Sequence, residues 1–470
     1  MAEKKEFDVA VIGAGPGGYV AAIRAAQNGA KVALIEKKDL GGVCLNVGCI
    51  PTKTLLATND ILQKINDAKE FGINVENVSF DFEKIKNRKD NVVTGIRNSL
   101  EGLIKSNGIE IVRGKAEFIS PEELKITGEN TFLLKAQKYI IATGSEPLDI
   151  KSFPCDGKKI HNSSSILELT SLPKSLAIVG GGYIGCEFAS LYASLGVKVI
   201  ILEALESIVS AQGEMIAETL TNAFQKQGIE IQTNVFVQSI ESKNNGLTIH
   251  LAGGKTVDAE MALVSVGRKL NSNNLDLMKA GIATDNSGAI IVNEKMETST
   301  PNIYAIGDVT GKWLLAHVAS HQGMVAADNA TGQDKRMHYY AVPAVIFTTP
   351  EIAMVGMTLE QAANEGYSPT VGKFPFQALG KSQASHQTEG FAQIISDKKT
   401  NQILGAQIIG HEASSLIGEM TLAIQNELTL DCVIDTIHAH PTVAEVWLEA
   451  ALMANETPIH FPPKKKKKND

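Results

Sequence analysis

Two short apolar runs, each followed at once by a glycine-rich turn, are the clearest pattern along the chain. The run Phe7–Ile12 predicts a buried strand, and a helical stretch extends from the turn after it to Gln27. A second strand is predicted at Lys31–Ile35 and ends at Glu36. This order of strand, glycine turn, helix, strand and acid is the sequence pattern of a dinucleotide-binding α/β unit.

The same pattern returns downstream and forms an internal repeat. Leu176–Val179 predicts its first strand, and Val197–Leu202 predicts the next strand, which ends at Glu203. In both copies the acid lies 18 residues after the last glycine of the turn. One glycine-rich turn is weak evidence, but two in matched register are strong. We therefore predict two dinucleotide sites in two separate domains.

Each glycine of the turn has a physical task. The first permits the tight turn, the second lets the backbone meet a pyrophosphate, and the third lets helix and strand pack closely. The helix N-terminus then offers free N–H groups to the phosphates. Glu36 and Glu203 would accept hydrogen bonds from ribose hydroxyls, and Glu203 would repel a 2′-phosphate, which favours NAD over NADP. The predicted glycine ligands are Gly13, Gly15 and Gly18 in the first turn and Gly180, Gly182 and Gly185 in the second.

A third region near the C-terminus has a different pattern. Apolar strand runs at Ala392–Ile395 and Ile403–Ile409 are followed by a helix predicted at Glu412–Gln425. These elements predict an α+β domain with a face able to bury an interface between subunits.

Composition places the chain among ordinary globular proteins. A length of 470 residues predicts about three or four domains. Hydrophobic residues make up 44% of the chain and charged residues 20%. The sequence contains no run of 18 apolar residues, so we predict no membrane span. The segment Met1–Glu6 has neither the apolar core of a signal peptide nor the pattern of a transit peptide, so we expect a cytoplasmic protein.

The net charge of −8 is unevenly distributed. The tail 464–470 carries five lysines and one aspartate, so its charge is +4 and the rest of the chain carries −12. An acidic body argues against a nucleic-acid groove. We expect the lysine run Lys464–Lys468 to be a solvated, disordered end, and docking against an acidic partner is the alternative.

Two cysteines directly follow the first nucleotide-binding unit. Cys44 and Cys49 are two of only five cysteines, and Lys53 would bring a positive charge near their sulfurs. A zinc half-site or two buried thiols are the alternatives, but no second Cys/His pair with ligand spacing follows nearby. In a reducing compartment, a lone pair of this kind is more often catalytic than structural. We therefore predict a redox-active disulfide.

With these motifs, the chain resembles the flavoprotein disulfide reductases from Asp8 to about Pro463. The segment Thr298–Asp308 is similar to that family's second flavin motif. Ala142–Gly144 and Val266–Arg268 are similar to the two crossovers between its flavin and nicotinamide domains.

Three features favour the lipoamide branch of that family. Leu315–His317 resembles the branch's loop beside the flavin, and Cys49–Lys53 is close to its usual Cys-Ile-Pro-Ser-Lys. The C-terminus also lacks the extra cysteine pair of the mercuric reductases. The stretch Gly380–Ala384 departs from the Asn-Ser-Arg-Ala of many relatives, and we assign it no role.

The resemblance implies catalytic roles for four residues. Cys44 would be the interchange thiol that the substrate attacks, and Cys49 the charge-transfer thiol nearer the flavin. The segment His438–Glu445 resembles the family's C-terminal catalytic motif. In it His440 would be the base, and Glu445 would orient it and raise its basicity.

The resemblance also implies FAD as a bound cofactor and NAD as the electron acceptor. Asp308 would bind the ribityl chain of FAD. Lys53 would pair with Glu187 beside the flavin, and an ordinary surface salt bridge is the alternative for that pair. The other implied cofactor contacts are Ala116 and Ala316 for FAD, and Val237 and Gly267 for NAD.

The implied fold class is α/β, with two Rossmann-like domains and a C-terminal α+β dimerisation domain. The expected boundaries are 1–147 for the first part of the FAD-binding domain, 148–272 for the NAD-binding domain, 273–343 for the central second part of the FAD-binding domain, 344–463 for the interface domain and 464–470 for the basic tail.

The implied activity is oxidation of protein-bound dihydrolipoamide, with NAD⁺ reduced to NADH. The partners would be a second copy of the chain and a lipoyl-bearing protein of a multienzyme complex, either a 2-oxo acid dehydrogenase complex or the glycine cleavage system. A reductase of another disulfide or of a quinone is one alternative. A flavin-bearing scaffold without activity is another, and the presence of Cys44, Cys49 and His440 argues against it.

Overall fold

The structure is a computed structural model and describes residues 4–462. The basic tail Lys464–Lys468 lies outside the described residues. Within them, no helix combines the length and the apolar character needed to cross a membrane.

The first nucleotide-binding domain is built around one mixed sheet. Its strands run in the order β3-β2-β1-β6-β5-β4, and a strand from much later in the chain, β17 (Ile303–Ala305), pairs with β6. β1 pairs in parallel with both β2 and β6, so its glycine turn lies at the carboxyl edge of the sheet. The elements are β1 (Lys4–Ile12), α1 (Pro16–Gln27), β2 (Val32–Glu36), α2 (Gly42–Val47), α3 (Cys49–Asp67), α4 (Phe82–Ser106), β3 (Glu110–Arg113), β4 (Lys115–Ser120), β5 (Glu123–Thr127) and β6 (Thr131–Ile141).

The second nucleotide-binding domain repeats this plan with a parallel sheet in the order β11-β10-β9-β15-β8. A three-stranded antiparallel sheet, β12-β13-β14, packs beside it, and an antiparallel ribbon of β7 and β16 joins the two domains. The elements are β7 (Ser145–Pro147), β8 (Ile160–Asn162), β9 (Ser175–Val179), α5 (Tyr183–Ser194), β10 (Lys198–Leu202), α6 (Glu214–Lys226), β11 (Glu230–Gln232), β12 (Val237–Lys243), β13 (Gly246–Leu251), β14 (Thr256–Ala259), β15 (Met261–Val264) and β16 (Arg268–Leu270).

The chain then returns to the first domain before it forms the last one. Helix α7 packs against α1 so closely that a Cβ on Gly323 would lie 2.5 Å from the carbonyl oxygen of Gly17. Arg24 of α1 and Asp328 of α7 form an ion pair at 2.6 Å across the same contact. The two elements of this return are β17 (Ile303–Ala305) and α7 (Ala316–Ala330).

The C-terminal domain is a five-stranded antiparallel sheet, ordered β18-β19-β22-β21-β20, with helices packed on it. Strands β21 and β22 are buried along their whole length, and Trp447 of α12 is fully buried in the core. The predicted fold class, with two Rossmann-like domains and a C-terminal α+β domain, is confirmed. The elements are β18 (Ala344–Ile346), β19 (Glu351–Gly356), α8 (Leu359–Asn364), β20 (Pro369–Pro375), α9 (Gly380–Ala384), β21 (Phe391–Asp397), β22 (Ile403–Gly410), α10 (Ala413–Gln425), α11 (Leu430–Asp435) and α12 (Glu445–Ala454).

Candidate active site

The first glycine turn leaves no room for side chains at two of its positions. Gly13 has φ +102°, and a Cβ there would lie 2.4 Å from the carbonyl oxygen of Ala142. A Cβ on Gly18 would lie 1.8 Å from the carbonyl oxygen of Gly13. Gly15 is different, because the space around its Cβ position is open among the described residues. The turn is therefore closed towards the sheet and open at the start of α1.

The second turn has the same geometry. Gly180 has φ +103°, and a Cβ there would lie 2.7 Å from the carbonyl oxygen of Ser265. A Cβ on Gly185 would lie 2.0 Å from the carbonyl oxygen of Gly180, whereas the space at Gly182 is open in the described part of the chain. The two turns that repeat in the sequence therefore also share the same backbone conformation.

The acids at the ends of the second strands hold these turns in place. Glu36 accepts hydrogen bonds from the backbone N–H groups of Ala14 and Lys38, both at 2.8 Å. Glu203 accepts them from the equivalent N–H groups, those of Gly181 and Leu205. Both acids are buried in the protein alone. Each therefore shapes its own glycine loop.

Both turns fit a dinucleotide phosphate. Helices α1 and α5 begin after Gly15 and Gly182, and no side chain within residues 4–462 caps either helix. Their first N–H groups are therefore left without a side-chain acceptor there, at the positive end of the helix dipole. This is the environment that FAD and NAD pyrophosphates require.

Asp308 lies in a polar network between the two domains. It accepts a hydrogen bond from the Ser145 hydroxyl, and Arg268 Nε lies 3.8 Å from its carboxylate. Arg268 in turn donates to the Ser145 hydroxyl at 2.7 Å and to the Ser145 carbonyl at 2.9 Å. Sequence reasoning missed Ser145 and Arg268 as site residues. The only available signal was position, because Ser145 directly follows the first crossover motif and Arg268 ends the second.

The remaining predicted cofactor residues are spread over both domains. Ala116 is buried in β4, and Ala316 is the first residue of α7. Val237 begins β12, and Gly267 lies just before β16, where its carbonyl accepts from the Leu148 N–H at 3.1 Å.

Cys44 and Cys49 lie on consecutive helices, Cys44 within α2 and Cys49 at the first residue of α3. Both are half-buried free thiols. The pKa of Cys49 is lowered to about 7, chiefly because Cys44 donates a hydrogen bond to its sulfur. Burial opposes this shift, and the nearby charge of Lys53 supports it. The same hydrogen bond and burial raise the pKa of Cys44, so the pair holds its negative charge on Cys49.

Lys53 lies one turn beyond Cys49 and forms an ion pair with Glu187 of α5. Its Nζ is 2.9 and 2.7 Å from the two carboxylate oxygens. The Phe347 N–H also donates to Glu187, at 3.0 Å, and the Phe347 ring lies 4.4 Å from Lys53 Nζ. Phe347 was missed, because no local sequence signal places this residue of the last domain beside the first two.

His440 lies in the C-terminal domain, just before α12. Its Nδ1 is 2.8 Å from Glu445 Oε1, and Glu445 Oε2 accepts from the Thr442 N–H at 2.8 Å. Partial burial acts to raise the pKa of Glu445, but the Thr442 and His440 hydrogen bonds hold it below its usual value. The His440 side chain is 76% exposed. Within residues 4–462, no hydrogen bond joins it to Cys44 or Cys49.

Across the described residues, no group of three or more His, Cys, Asp or Glu side chains is arranged to hold a metal ion.

Comparisons with known proteins agree with this geometry. Residues 7–323 match the model of the pyridine nucleotide-disulphide oxidoreductase family, and residues 342–451 match the model of its dimerisation domain. The chain is 50% identical to the dihydrolipoyl dehydrogenase of Chlamydia pneumoniae, covering 98% of this chain and 99% of that protein. It is 43% identical to the dihydrolipoyl dehydrogenase of Geobacillus stearothermophilus, covering 97% and 98%.

Solved structures show the same architecture. The fold matches LpdA of Mycobacterium tuberculosis with a TM-score of 0.90 at 27% identity, over 94% of this chain and 99% of that one. It also matches the HOCl-induced flavoprotein disulfide reductase RclA of Escherichia coli with a TM-score of 0.85 at 30% identity, over 94% and 99%.

The chain therefore belongs to the pyridine nucleotide-disulphide oxidoreductases, and among them to the dihydrolipoyl dehydrogenases. It is an NAD-dependent flavoprotein oxidoreductase, with FAD and NAD as cofactors. The matched dimerisation domain supports a homodimer.

Proposed function

We propose that the chain oxidises protein-bound dihydrolipoamide to lipoamide. A dihydrolipoyl thiolate attacks the sulfur of Cys44 in the Cys44–Cys49 disulfide, and Cys49 leaves as a thiolate. His440 takes the proton of the second dihydrolipoyl thiol, whose sulfur then displaces Cys44 and closes the lipoamide ring. FAD, held by the first glycine turn and Asp308, would supply the two-electron acceptor for the cysteine pair and the hydride donor for NAD⁺ at the second glycine turn.

The unequal surroundings of the two sulfurs support these roles best. Cys49 carries the lowered pKa, and it lies at the N-terminus of the 19-residue helix α3, one turn before Lys53. A helix N-terminus and a nearby cation both stabilise a thiolate. Cys44, whose pKa is raised, keeps its proton when the pair is reduced. The pair is thus chemically unequal, as interchange and charge-transfer thiols must be.

His440 suits the role of base because its ring is oriented but accessible. Its Nδ1 is held by Glu445, which leaves Nε2 for a proton from the substrate. The cysteines belong to the first domain and His440 to the last one. We infer that His440 completes the site of the partner subunit, so that the working unit is a homodimer.

The macromolecular partner in this proposal is a lipoyl-bearing protein of a multienzyme complex. The relatives at 43–50% identity carry the name dihydrolipoyl dehydrogenase, and the match covers nearly their whole length. We place the reaction in the cytoplasm, because a chain with five cysteines and no framework of spaced pairs is typical of a reducing compartment.

The test compares two substrate pairs on the purified FAD-loaded protein. We expect turnover of dihydrolipoamide with NAD⁺ and little reduction of glutathione disulfide with NADPH. Cys44→Ser should abolish the lipoamide reaction, and the matched control Cys432→Ser should retain it, because Cys432 is exposed on α11. Faster turnover with glutathione disulfide or a quinone than with lipoamide would show a different disulfide or quinone reductase.

A further inference from the structure

Helix α12 carries a second histidine–carboxylate pair, one turn beyond the first. Glu445 begins the helix and accepts from His440, and Glu449 follows four residues later. The chain turns back after α12, and His460 Nδ1 lies 2.7 Å from Glu449 Oε1. Residues four apart on a helix share a face, with Cβ atoms about 5–6 Å apart. The two carboxylates are therefore neighbours, each with its own imidazole.

The second pair is unequally exposed to water. The Glu449 side chain is 6% exposed, whereas the His460 side chain is 72% exposed. Glu449 Oε2 is buried and has no hydrogen-bond partner within residues 4–462. A buried carboxylate with one free oxygen is costly unless a positive charge compensates it. His460 is the group placed to supply that charge.

The two pairs interact electrostatically. The pKa of His460 is raised, first by its hydrogen bond to Glu449 and the charge of that carboxylate, and also by the charge of Glu445. His438 belongs to the same cluster. Its Nε2 is 3.0 Å from Glu419 of α10, and its charge acts on Glu445. The charged groups of this cluster are thus Glu445 and Glu449 on α12, His460 after the helix, and the His438–Glu419 pair.

We propose that the Glu449–His460 pair sets the proton affinity of His440, and so acts as a positioning pair for the base. This inference rests on the proposed function. With His460 protonated, the pair is neutral and adds little to the field at His440. With His460 neutral or absent, the negative charge of Glu449 is uncompensated and favours the protonated form of His440. The base must be neutral to accept a proton. The pair therefore sets the pH at which kcat/KM falls on the acid side of the pH profile, which we call the acid limb.

The experiment measures kcat/KM for dihydrolipoamide oxidation against pH in the FAD-loaded dimer. His460→Gln should move the acid limb to higher pH, by about half a unit. Glu449→Gln removes the negative charge and should move the limb to lower pH, by a smaller amount, because His460 then also loses the carboxylate that raises its pKa. His460→Lys keeps a cation beside Glu449 and should restore the wild-type limb or move it slightly lower. A purely structural role would not produce shifts of opposite sign.

A remote pair provides the matched control. His250 and Glu241 form an exposed pair, 3.4 Å apart, on the antiparallel sheet of the second domain, and His250→Gln should leave the pH profile unchanged. Thermal unfolding of each variant checks folding. If Glu449→Gln does not fold, the exposed His460 variants still decide the sign. Unchanged limbs in His460→Gln and His460→Lys, or shifts of the same sign, would overturn the inference.

The test separates this inference from the proposed function. His440→Gln should remove the acid limb along with most of the activity. If that variant keeps the wild-type profile, His440 is not the base, and the proposed function fails at that point. If His440→Gln behaves as expected and the His460 variants do not shift the limb, only the role of the second pair is wrong.

Discussion

Lys53 Nζ lies 2.9 and 2.7 Å from the two carboxylate oxygens of Glu187, and this ion pair joins helix α3 to helix α5. Helix α3 begins at Cys49, and α5 begins at the second glycine turn. The helix that carries Cys49 is therefore tied to the helix of the proposed NAD site. Because the Phe347 N–H also donates to Glu187, the C-terminal domain is tied to the same point.

Replacing Lys53 should weaken both the fold and the thiolate. In Lys53→Met, Glu187 keeps a buried charge without its cation, which should cost about 2 kcal/mol of unfolding free energy. This is below the loss of about 3–5 kcal/mol for a fully buried pair, because Lys53 is 31% exposed. The pKa of Cys49 should rise above about 7, because Lys53 helps to lower it. Denaturant unfolding and a pH titration of the thiolate-to-flavin absorption band measure the two effects.

Two controls accompany that variant. Lys53→Arg keeps the charge and should preserve the titration. Lys226→Gln removes an exposed ion pair with Glu389 and should change stability by less than about 0.5 kcal/mol. Equal losses of unfolding free energy in Lys53→Met and Lys226→Gln would show that the Lys53–Glu187 pair stabilises the fold no more than an exposed ion pair does.

The two cysteines should behave differently in the reduced enzyme. Since the pKa of Cys49 is about 7, below its usual value, the thiolate exists above that pH and is lost as pH falls through it. The two-electron-reduced protein should therefore lose its long-wavelength band on acidification. Cys44→Ser should permit the band but abolish lipoamide turnover, and Cys49→Ser should remove the band. Identical spectra for the two variants would be incompatible with the assignment.

Glu203 should govern the choice between NAD and NADP. Its charge repels a 2′-phosphate, so Glu203→Ala should narrow the preference for NAD, and an added arginine nearby should reverse it. Glu203 also accepts from the Gly181 and Leu205 N–H groups, so the alanine variant should lose affinity for NAD as well. Glu203→Gln removes the charge but keeps an oxygen that can accept from the loop N–H groups. This variant therefore distinguishes the effect of the charge from the effect of the hydrogen bonds to the loop. The ratio of kcat/KM values for the two nucleotides is the measurement, and a wild-type enzyme that uses both equally well would refute the idea.

Subunit mixing tests whether His440 acts on the partner's cysteines. Cys44→Ser and His440→Ala homodimers should both be inactive. In a heterodimer, one of the two sites has intact cysteines and an intact His440, so about half of a wild-type dimer's activity should return. Native mass spectrometry confirms subunit exchange. Exchange without recovered activity would show that the site is contained within one chain.

Sequence periodicity placed the main elements close to their observed positions. The first helix ends at Gln27 both in the sequence prediction and in the structure. The helix predicted at Glu412–Gln425 is observed at Ala413–Gln425. The one-residue difference arises because Glu412 has φ +58°, outside the helical region. The strand predicted at Ala392–Ile395 extends over Phe391–Asp397, since pairing with both neighbours continues past its apolar centre.

The sequence also predicted the positions of the glycines in the two turns. The glycine positions follow from backbone geometry alone, since Gly13 and Gly180 need positive φ and Gly18 and Gly185 leave no space for a Cβ. The additional role of Glu36 and Glu203 in holding the turns was not predicted. It depends on the direction in which N–H groups of the folded loop point, and no spacing of residue types records that direction.

By itself, the sequence determined the two nucleotide-binding units, the cysteine pair and the separate last domain, because each depends on short-range periodicity or spacing. The tertiary structure alone decided which distant groups meet. It brought Phe347 to the Lys53–Glu187 pair, Ser145 and Arg268 to Asp308, and His460 to Glu449. Two of the hydrogen bonds, Phe347 to Glu187 and Ser145 to Asp308, join residues 160 and 163 positions apart, and domain packing brings these residues together. The local sequence specifies which chemical groups are present, but the tertiary structure determines which groups contact them.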